Sequence, residues 1–225
     1  MKIKILNMSI LLMLSLFIIF NLTFTKASAM QINYSIVVDL NDCKLFLIQN
    51  ENNEIIKTYT IACGKPTTPS PVGTWKIIDK GRWTKGFGTR WMGLNVPWGK
   101  YGIHGTNKPN SIGSATSEGC IRMFNKDVEE LYDKVGYGTT VILYGGPYCM
   151  MNNKTRTLVP GNTGADVYNV QKILKDRGYY NFNLDGRYGE SLKQAVIKFK
   201  KDNRLYPSYN IDTNLYKLLN MNPFE

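Results

Sequence analysis

The sequence predicts a mainly β domain followed by a small all-α domain of three helices. Between about residues 33 and 145, short runs of β-branched and aromatic residues alternate with turn-forming residues, which indicates a largely antiparallel sheet. From Ala165 onward, apolar residues recur at helical spacing. The segment between these regions is polar and contains prolines, as linkers often do. We therefore expect a β domain over 30–147, a linker over 148–160 and a helical domain over 161–225.

The individual elements follow from the spacing of apolar residues. Strands are predicted at 35–40, 44–49, 57–63, 73–79 and 140–144, and one helix is predicted at 127–135. The C-terminal region has three apolar stripes, each at helical spacing: Val167, Val170, Ile173 and Leu174; Leu192, Ala195, Val196 and Phe199; Leu215, Leu218 and Leu219. Because such short helices cannot bury their apolar faces alone, we expect them to form a compact bundle.

The first 29 residues have the pattern of an export signal. Two lysines precede the apolar run 10–20, and an Ala-Ser-Ala cleavage pattern ends the segment at 27–29. The apolar run is shorter than the roughly 20 residues that a membrane-spanning helix needs, although an uncleaved N-terminal anchor is the alternative. We therefore expect an extracytoplasmic protein whose mature chain begins near Met30, and which contacts the membrane only if the signal is not cleaved.

The charge of the chain favours an anionic partner. Its 28 lysines and arginines outnumber 17 acidic residues, which gives a formal charge of +11. Cleavage of the signal removes three lysines and no acidic residue, and so lowers this charge to +8. Cell-wall polymers and anionic lipid headgroups both suit such a protein. The basic residues are scattered and form no nucleic-acid motif, which argues against nucleic-acid binding.

The four cysteines allow two disulfides in an exported protein. Cys43 and Cys63 lie in apolar, strand-like segments, where we expect buried thiols and where a Cys43–Cys63 disulfide is the alternative. The remaining two are Cys120 and Cys149. A single histidine without C-x-x-C or H-E-x-x-H spacing argues against a zinc site, and we expect no metal or organic cofactor.

The only histidine, His104, lies 16 residues before Cys120 in a polar segment rich in glycine and serine. Because that segment can form a loop, the two side chains can meet if each ends a strand. A histidine can accept the proton of a cysteine nucleophile, and main-chain N–H groups around Gly119 could stabilise an oxyanion. Arg122 would share a strand face with Cys120 and could hold a carboxylate. The segment thus indicates a catalytic thiol; the alternative is a structural cysteine and a surface histidine.

Two stretches resemble the L,D-transpeptidase catalytic domain family (YkuD-like). "YGIHGTNKPNSIGSATSEGCIRMFNKDVEELY" resembles its active-site segment, in which His-Gly-Thr or His-Gly-Ser precedes a loop and then Ser-x-Gly-Cys-Ile-Arg. "GKPTTPSPVGTWKI" resembles its Thr-Pro-x-Gly-x-Phe segment, with Thr68, Pro71, Gly73 and Trp75 in corresponding places. The resemblance covers about residues 34–145 and implies a β-sandwich with a short helix.

The C-terminal region resembles the peptidoglycan-binding domain type 1 family of three-helix modules over about residues 160–220. The resemblance rests on four features: Gly164, Val167 and Gln171; Gly-Tyr-Tyr at 178–180; Asp185-Gly186 followed by Tyr188-Gly189; and Ala195-Val196 followed by Phe199. Ser191 and Lys200 depart from the residues common in the family, which leaves the wall component that is bound undetermined.

The resemblance to L,D-transpeptidases implies a role for each residue of the active-site motif. Cys120 is then the nucleophile and His104 its base. The main-chain carbonyl of Gly105 orients the imidazole, where other enzymes use a triad carboxylate.

The remaining residues of the motif would contact the substrate. Ser117 and Gly119 then line the oxyanion site, and Arg122 faces the substrate. Glu118 departs from the pattern, because many members of the family have a second histidine there.

The implied reaction is acyl transfer in the cell wall. Cys120 attacks a stem tetrapeptide, releases its terminal D-alanine and forms a thioester, which the amine of a second stem resolves into a 3→3 cross-link. Peptidoglycan stem peptides are thus donor and acceptor, and carbapenem β-lactams are expected inhibitors. The alternatives are an L,D-carboxypeptidase that uses water as acceptor and a non-catalytic wall-binding protein. A papain-like peptidase fits poorly, because its motifs are absent and its cysteine precedes its histidine. We expect a monomer, because a linker joins the two domains.

Overall fold

The structure is a computed structural model that describes residues 33–82, 86–145 and 156–221. The expected export signal, Cys149 and the first part of the expected linker lie outside these residues. In the part of the chain that is described, no helix is long and apolar enough to span a membrane.

The β domain consists of ten described strands and one α-helix, α1 (Asn125–Lys134). The strands are β1 (Tyr34–Asp39), β2 (Lys44–Gln49), β3 (Ile55–Thr60), β4 (Cys63–Gly64), β5 (Gly73–Gly81), β6 (Trp91–Leu94), β7 (Tyr101–Gly105), β8 (Ala115–Ser117), β9 (Ile121–Met123) and β10 (Thr140–Tyr144). Eight of them form one sheet in the order β3-β2-β1-β10-β5-β6-β7-β9, and β4 pairs with β8 separately. The large sheet is mostly antiparallel, with parallel pairs at β1–β10 and β7–β9.

The long strand β5 joins the two halves of the large sheet. Its first residues pair with β10 and its last residues pair with β6, with a register shift between Ile77 and Asp79. Both halves bury side chains in one hydrophobic core, to which β1, β2, β7, β9 and α1 contribute Ile36, Leu45, Ile103, Ile121 and Leu131. The prediction of a mainly β domain with one short helix is confirmed.

The predicted strand at 57–63 is wrong as a single element. β3 ends at Thr60, and β4 begins at Cys63. Between them the chain changes partner, because Ala62 pairs with Arg122 through two backbone hydrogen bonds of 2.8 Å. This change brings β4 beside β8, next to the residues that precede β9.

The two cysteines of this region are free and buried. The Sγ atoms of Cys43 and Cys63 lie 3.5 Å apart in the domain core. Burial, together with the neighbouring Cys43, raises the pKa of Cys63 to about 12. The thiol of Cys63 is therefore protonated and unreactive at neutral pH.

The helical module, residues 156–221, contains α2 (Ala165–Asp176), α3 (Glu190–Asp202) and α4 (Thr213–Leu218). The predicted stripes supply its core, in which Val170, Leu192 and Leu215 are almost fully buried. The prediction of three short helices is confirmed. The module begins earlier than expected, however: Leu158 is fully buried in this core and pairs with Ile211, although it falls within the predicted linker.

A turn at 185–187 is held against α2 by the side chain of Gln171. The amide nitrogen of Gln171 donates to Asp185 at 2.7 Å and to the Arg187 carbonyl at 3.0 Å, and its amide oxygen accepts from Gly186 N–H at 2.8 Å. Gly186 has a φ of +65°, which glycine adopts without strain. The glutamine and the Asp-Gly pair of the sequence motif thus fix one rigid turn.

Candidate active site

His104 and Cys120 lie on neighbouring segments at one edge of the large sheet. β7 carries His104 and pairs in parallel with β9, which begins directly after Cys120. In this register His104 is paired with Arg122 on the neighbouring strand. Cys120, two residues before Arg122, is therefore a diagonal neighbour of His104. The topology thus brings the three predicted side chains to one place.

The imidazole of His104 is fixed by a backbone contact and two aromatic rings. Its Nδ1 donates to the Gly105 carbonyl at 2.5 Å, in the tautomer that carries the proton on Nδ1. The ring packs edge-on against Phe87, with centroids 4.9 Å apart, and stacks on Trp91 at 5.8 Å. Trp91 is held in turn by a 2.9 Å hydrogen bond from its Nε1 to Asp79. This arrangement leaves Nε2 as the basic nitrogen of the ring.

Burial moves the pKa values of the pair in opposite directions. It lowers the pKa of His104, which is 4% exposed; Arg122 acts in the same direction, and the backbone hydrogen bonds to Gly105 and Phe87 only partly oppose the shift. Burial also raises the pKa of Cys120, although Gly102, Arg122 and Lys100 act in the other direction. Both shifts disfavour the charged forms. The resting pair at neutral pH is therefore a thiol and a neutral imidazole.

The Cys120 thiol contacts main-chain atoms in the resting structure. Cys120 Sγ makes a weak contact with the Lys100 carbonyl, 4.0 Å away. Among the described residues, no hydrogen bond joins Sγ to His104. Such catalytic hydrogen bonds are often long or absent before the substrate binds.

Ser117 shapes the turn that carries the nucleophile. Its Oγ donates to the Cys120 carbonyl at 2.6 Å and accepts from Gly119 N–H at 3.0 Å. The Gly119 N–H is thus already occupied, which differs from the expectation that Ser117 and Gly119 both face an oxyanion. The Cys120 N–H has no hydrogen-bond partner within the described ranges, and so it is the better candidate to donate to an oxyanion.

Gly119 is packed too tightly for a side chain. A Cβ atom there would lie 2.7 Å from the ring of Tyr101 and 3.2 Å from the Pro69 carbonyl. Its φ of +107° also strains any L-residue. Glycine is therefore required where the chain turns into Cys120.

Two charged side chains, Arg122 and Glu118, lie on either side of Cys120 in the sequence and differ in whether they form an ion pair within the described residues. Arg122 is half-buried, and its guanidinium forms no hydrogen bond or ion pair with residues 33–82, 86–145 or 156–221. Glu118 is exposed and forms an ion pair with Lys65, which lowers the pKa of Glu118. Arg122 can thus receive a carboxylate, whereas Glu118 is engaged at the rim.

Sequence reasoning missed the aromatic and basic residues around the pair. Phe87, Trp91, Lys100 and Tyr101 are among them. The signal that could have found them is the hairpin: residues 91–94 and 101–104 flank a Pro-Trp-Gly turn, and their antiparallel pairing sets Trp91 opposite His104. In the described part of the chain, no three His, Cys, Asp or Glu side chains gather as metal ligands would.

The cysteine that precedes β9 and the buried histidine of the neighbouring β7 lie in a domain of a known class. Residues 33–143 match the YkuD family, described as the L,D-transpeptidase catalytic domain. Residues 163–219 match the family described as "Putative peptidoglycan binding domain". The chain therefore carries an L,D-transpeptidase catalytic domain of the YkuD family, followed by a peptidoglycan-binding domain.

Curated relatives share the β domain. The "Putative L,D-transpeptidase YkuD" of Bacillus subtilis (strain 168) is 48% identical over 113 residues, which cover 50% of this chain and 66% of that protein. The protein of the same name from Bacillus licheniformis is 47% identical over 111 residues, which cover 49% of this chain and 65% of that protein. The matched region thus spans about two thirds of the length of these relatives.

Solved structures of L,D-transpeptidases also match the β domain. A C442S mutant from Enterococcus faecium is 24% identical, with a TM-score of 0.44 and 50% of each chain covered. LdtMt1 in complex with imipenem is 20% identical, with a TM-score of 0.43, and the match covers 50% of this chain and 59% of that one.

Proposed function

We propose that the protein is an exported L,D-transpeptidase that forms 3→3 cross-links in peptidoglycan through a Cys120 thioester. The observation that carries this proposal is the placement of Cys120 beside a histidine whose Nδ1 is tied to the Gly105 carbonyl. The family match of the β domain supports the class of substrate, and the second domain supports an association with the cell wall.

Acylation begins when the stem tetrapeptide places the carbonyl between its third and fourth residues against Cys120. The thiol turns from the Lys100 carbonyl toward His104 and gives its proton to Nε2 as Sγ attacks. The Cys120 N–H donates to the developing oxyanion. The C–N bond then breaks, the imidazolium protonates the leaving amine, and D-alanine departs from a thioester.

Deacylation uses the same groups in reverse. The side-chain amine of a second stem attacks the thioester carbonyl, and His104 accepts a proton from this amine. The C–S bond breaks, Cys120 recovers its proton, and a 3→3 cross-link is released. No metal or organic cofactor enters either step.

Arg122 is the proposed anchor for a carboxylate of the donor stem. Its guanidinium forms no hydrogen bond or ion pair within the described part of the chain, and Arg122 lies two residues after the nucleophile, paired with His104 in the strand register. A guanidinium binds a carboxylate through two parallel hydrogen bonds. Glu118, paired with Lys65 at the rim, takes no part in the proton transfers.

Carbapenems are the proposed inhibitors, because the carbonyl carbon of their strained β-lactam amide is an electrophile for the thiol, like the scissile carbonyl carbon of the stem peptide. The helical module is proposed to bind the wall and so to raise the local concentration of stems. Both roles suit an extracytoplasmic protein that acts as a monomer.

Intact-protein mass spectrometry on the chain from Met30 tests the proposal directly. Wild type and Cys120→Ala are incubated with purified disaccharide-tetrapeptide. The expected result is a mass increase equal to the substrate minus D-alanine, seen only when Cys120 is present. Bound wall fragments without any adduct or released D-alanine would instead show a non-catalytic wall-binding protein.

Product analysis then identifies the acceptor. Cross-linked dimers in the reaction mixture are expected for a transpeptidase. Tripeptide stems alone, with a second stem available in excess, would identify the carboxypeptidase alternative.

A further inference from the structure

Three aromatic rings join the helical module to the β domain. Trp75 of β5, Trp98 of the β6–β7 loop and Tyr168 of α2 meet with centroids 5.3 to 5.5 Å apart, an arrangement we call the aromatic junction. Ala165, one turn before Tyr168, is buried in the core of the β domain. The first turn of α2 therefore packs as part of the β domain, whereas the rest of the module has its own core.

The rigid turn at 185–187 makes the second contact with Trp98. The Trp98 indole lies so close to Gly186 that a Cβ there would be 2.3 Å from a ring carbon. Arg187 donates to the Trp98 carbonyl at 3.4 Å. Trp98, 8% exposed, is thus held by the helical module from both its ring and its backbone.

Trp98 stands two residues before a segment that touches the nucleophile. The Lys100 carbonyl contacts Cys120 Sγ, and the Tyr101 ring packs on Gly119. The rings of Trp98 and Tyr101 also meet, with centroids 6.4 Å apart. A shift of Trp98 would therefore move one wall of the thiol site.

Trp75 connects the junction to the opposite wall. Its Nε1 donates to the Pro71 carbonyl at 2.7 Å, which fixes the end of the loop at 65–72. From that loop, Thr68 Oγ1 and Lys65 N–H both donate to the Ser117 carbonyl, at 3.2 and 3.1 Å. The turn that carries Cys120 is thus held between two loops that end at the aromatic junction.

We propose that the helical module positions the nucleophile: Tyr168 and the turn at 185–187 complete the aromatic junction, which holds the two loops around Cys120 in their reactive arrangement. Tyr168 and Arg187 are then positioning residues that act through Trp98. The catalytic consequence rests on the function proposed above, whereas the effect on thiol reactivity does not.

Positioning the nucleophile is a different role from tethering the enzyme to the cell wall. A tethered wall-binding module raises the local concentration of polymeric substrate and leaves the reaction with a small soluble donor unchanged. A positioning module changes the rate of the chemical step itself, because small displacements of reacting groups strongly reduce rates. The rate of reaction with a small soluble substrate therefore distinguishes the two roles.

The test compares Tyr168→Ala with wild type in the full chain. Two rates are followed at Cys120 by peptide mass spectrometry: thioester formation with saturating disaccharide-tetrapeptide, and alkylation by iodoacetamide. We expect Tyr168→Ala to lower the maximal rate of acylation about tenfold and to change the alkylation rate. Sedimentation with purified wall should remain at the wild-type level, because the core of the module is intact.

Two matched variants control the experiment. Tyr168→Phe keeps the ring and should restore the wild-type rates, and Tyr206→Ala removes an 85% exposed tyrosine of the same module and should leave them unchanged. Gly186→Leu provides a second way to displace Trp98, and circular dichroism shows which variants are folded.

Wild-type rates at Cys120 in every folded variant that loses the junction would overturn the proposal and leave the module as a tether. A wild-type protein that forms no thioester, combined with altered alkylation in Tyr168→Ala, would refute the proposed function while it supports the positioning role.

Discussion

The protonation state of the resting thiol can be tested by the pH dependence of its alkylation. Burial raises the pKa of Cys120 above its ordinary value of 9.0 and lowers that of His104 below its ordinary value of 6.5. The thiolate fraction at pH 7 is then below about 1%, and it increases about tenfold with each pH unit. Between pH 7 and 8.5, where His104 stays neutral, no other change in the pair alters this slope.

The assay is the rate of iodoacetamide labelling of the peptide that contains Cys120, measured on the folded chain over this pH range. We expect a log-linear increase with a slope near one and no plateau. Cys120→Ala supplies the background labelling of the other cysteines, and the buried Cys43 and Cys63 should label slowly in all samples. A rate that does not change between pH 7 and 8.5 would mean a preformed thiolate–imidazolium pair, and would refute the inference that burial keeps the thiol protonated.

Three further variants test separate parts of the structure. Gly119→Ala should reduce the rate of acylation by about a hundredfold or more, because the new Cβ meets the Tyr101 ring. Single-turnover mass spectrometry measures this rate. A wild-type rate would show that the turn can accommodate a side chain. Arg122→Gln should raise KM for the donor stem, and it should slow alkylation at pH 8, since the guanidinium lowers the pKa of the thiol. Arg122→Lys should keep the wild-type alkylation rate but not the wild-type KM. An unchanged KM in both variants would contradict the proposed role of Arg122 as a carboxylate anchor. Leu158→Ala should destabilise the helical module by about 2–5 kcal/mol, seen as an earlier thermal transition, whereas unchanged melting would contradict its place in the core.

Local patterns predicted β1, β2, β5, β10, α1 and the three helices of the module, but not β6 to β9, which depend on pairing between distant segments. The alternation in β1 and β2 and the stripes of the helical module were readable, because each is set by residues close in sequence. The division of 57–63 into two strands was not, since it depends on Ala62 pairing with a residue 60 positions later. Leu158 looked like linker for the same reason: only Ile211, distant in sequence, makes it a core residue.

The candidate site likewise has features that the sequence motif predicted and features that depend on contacts between distant residues. The motif placed His104, Gly105, Cys120 and Arg122 together, and the structure brings their strands side by side. The use of the Gly119 N–H by Ser117 could not be foreseen, because it depends on the local turn geometry. Nor could the contact of Trp98 with the helical module, because residues from two separate predicted domains create it. The individual roles of these residues remain predictions.

The position of β10 between β1 and β5 has a consequence for how the protein is made. β1 is among the first described strands, yet its partner β10 follows more than a hundred residues later in the chain. The centre of the sheet therefore cannot close until nearly the whole β domain is available, and such non-local pairing slows folding. For a chain proposed to be exported, this delay is an advantage, because the β domain stays unfolded until its last strand has been synthesised.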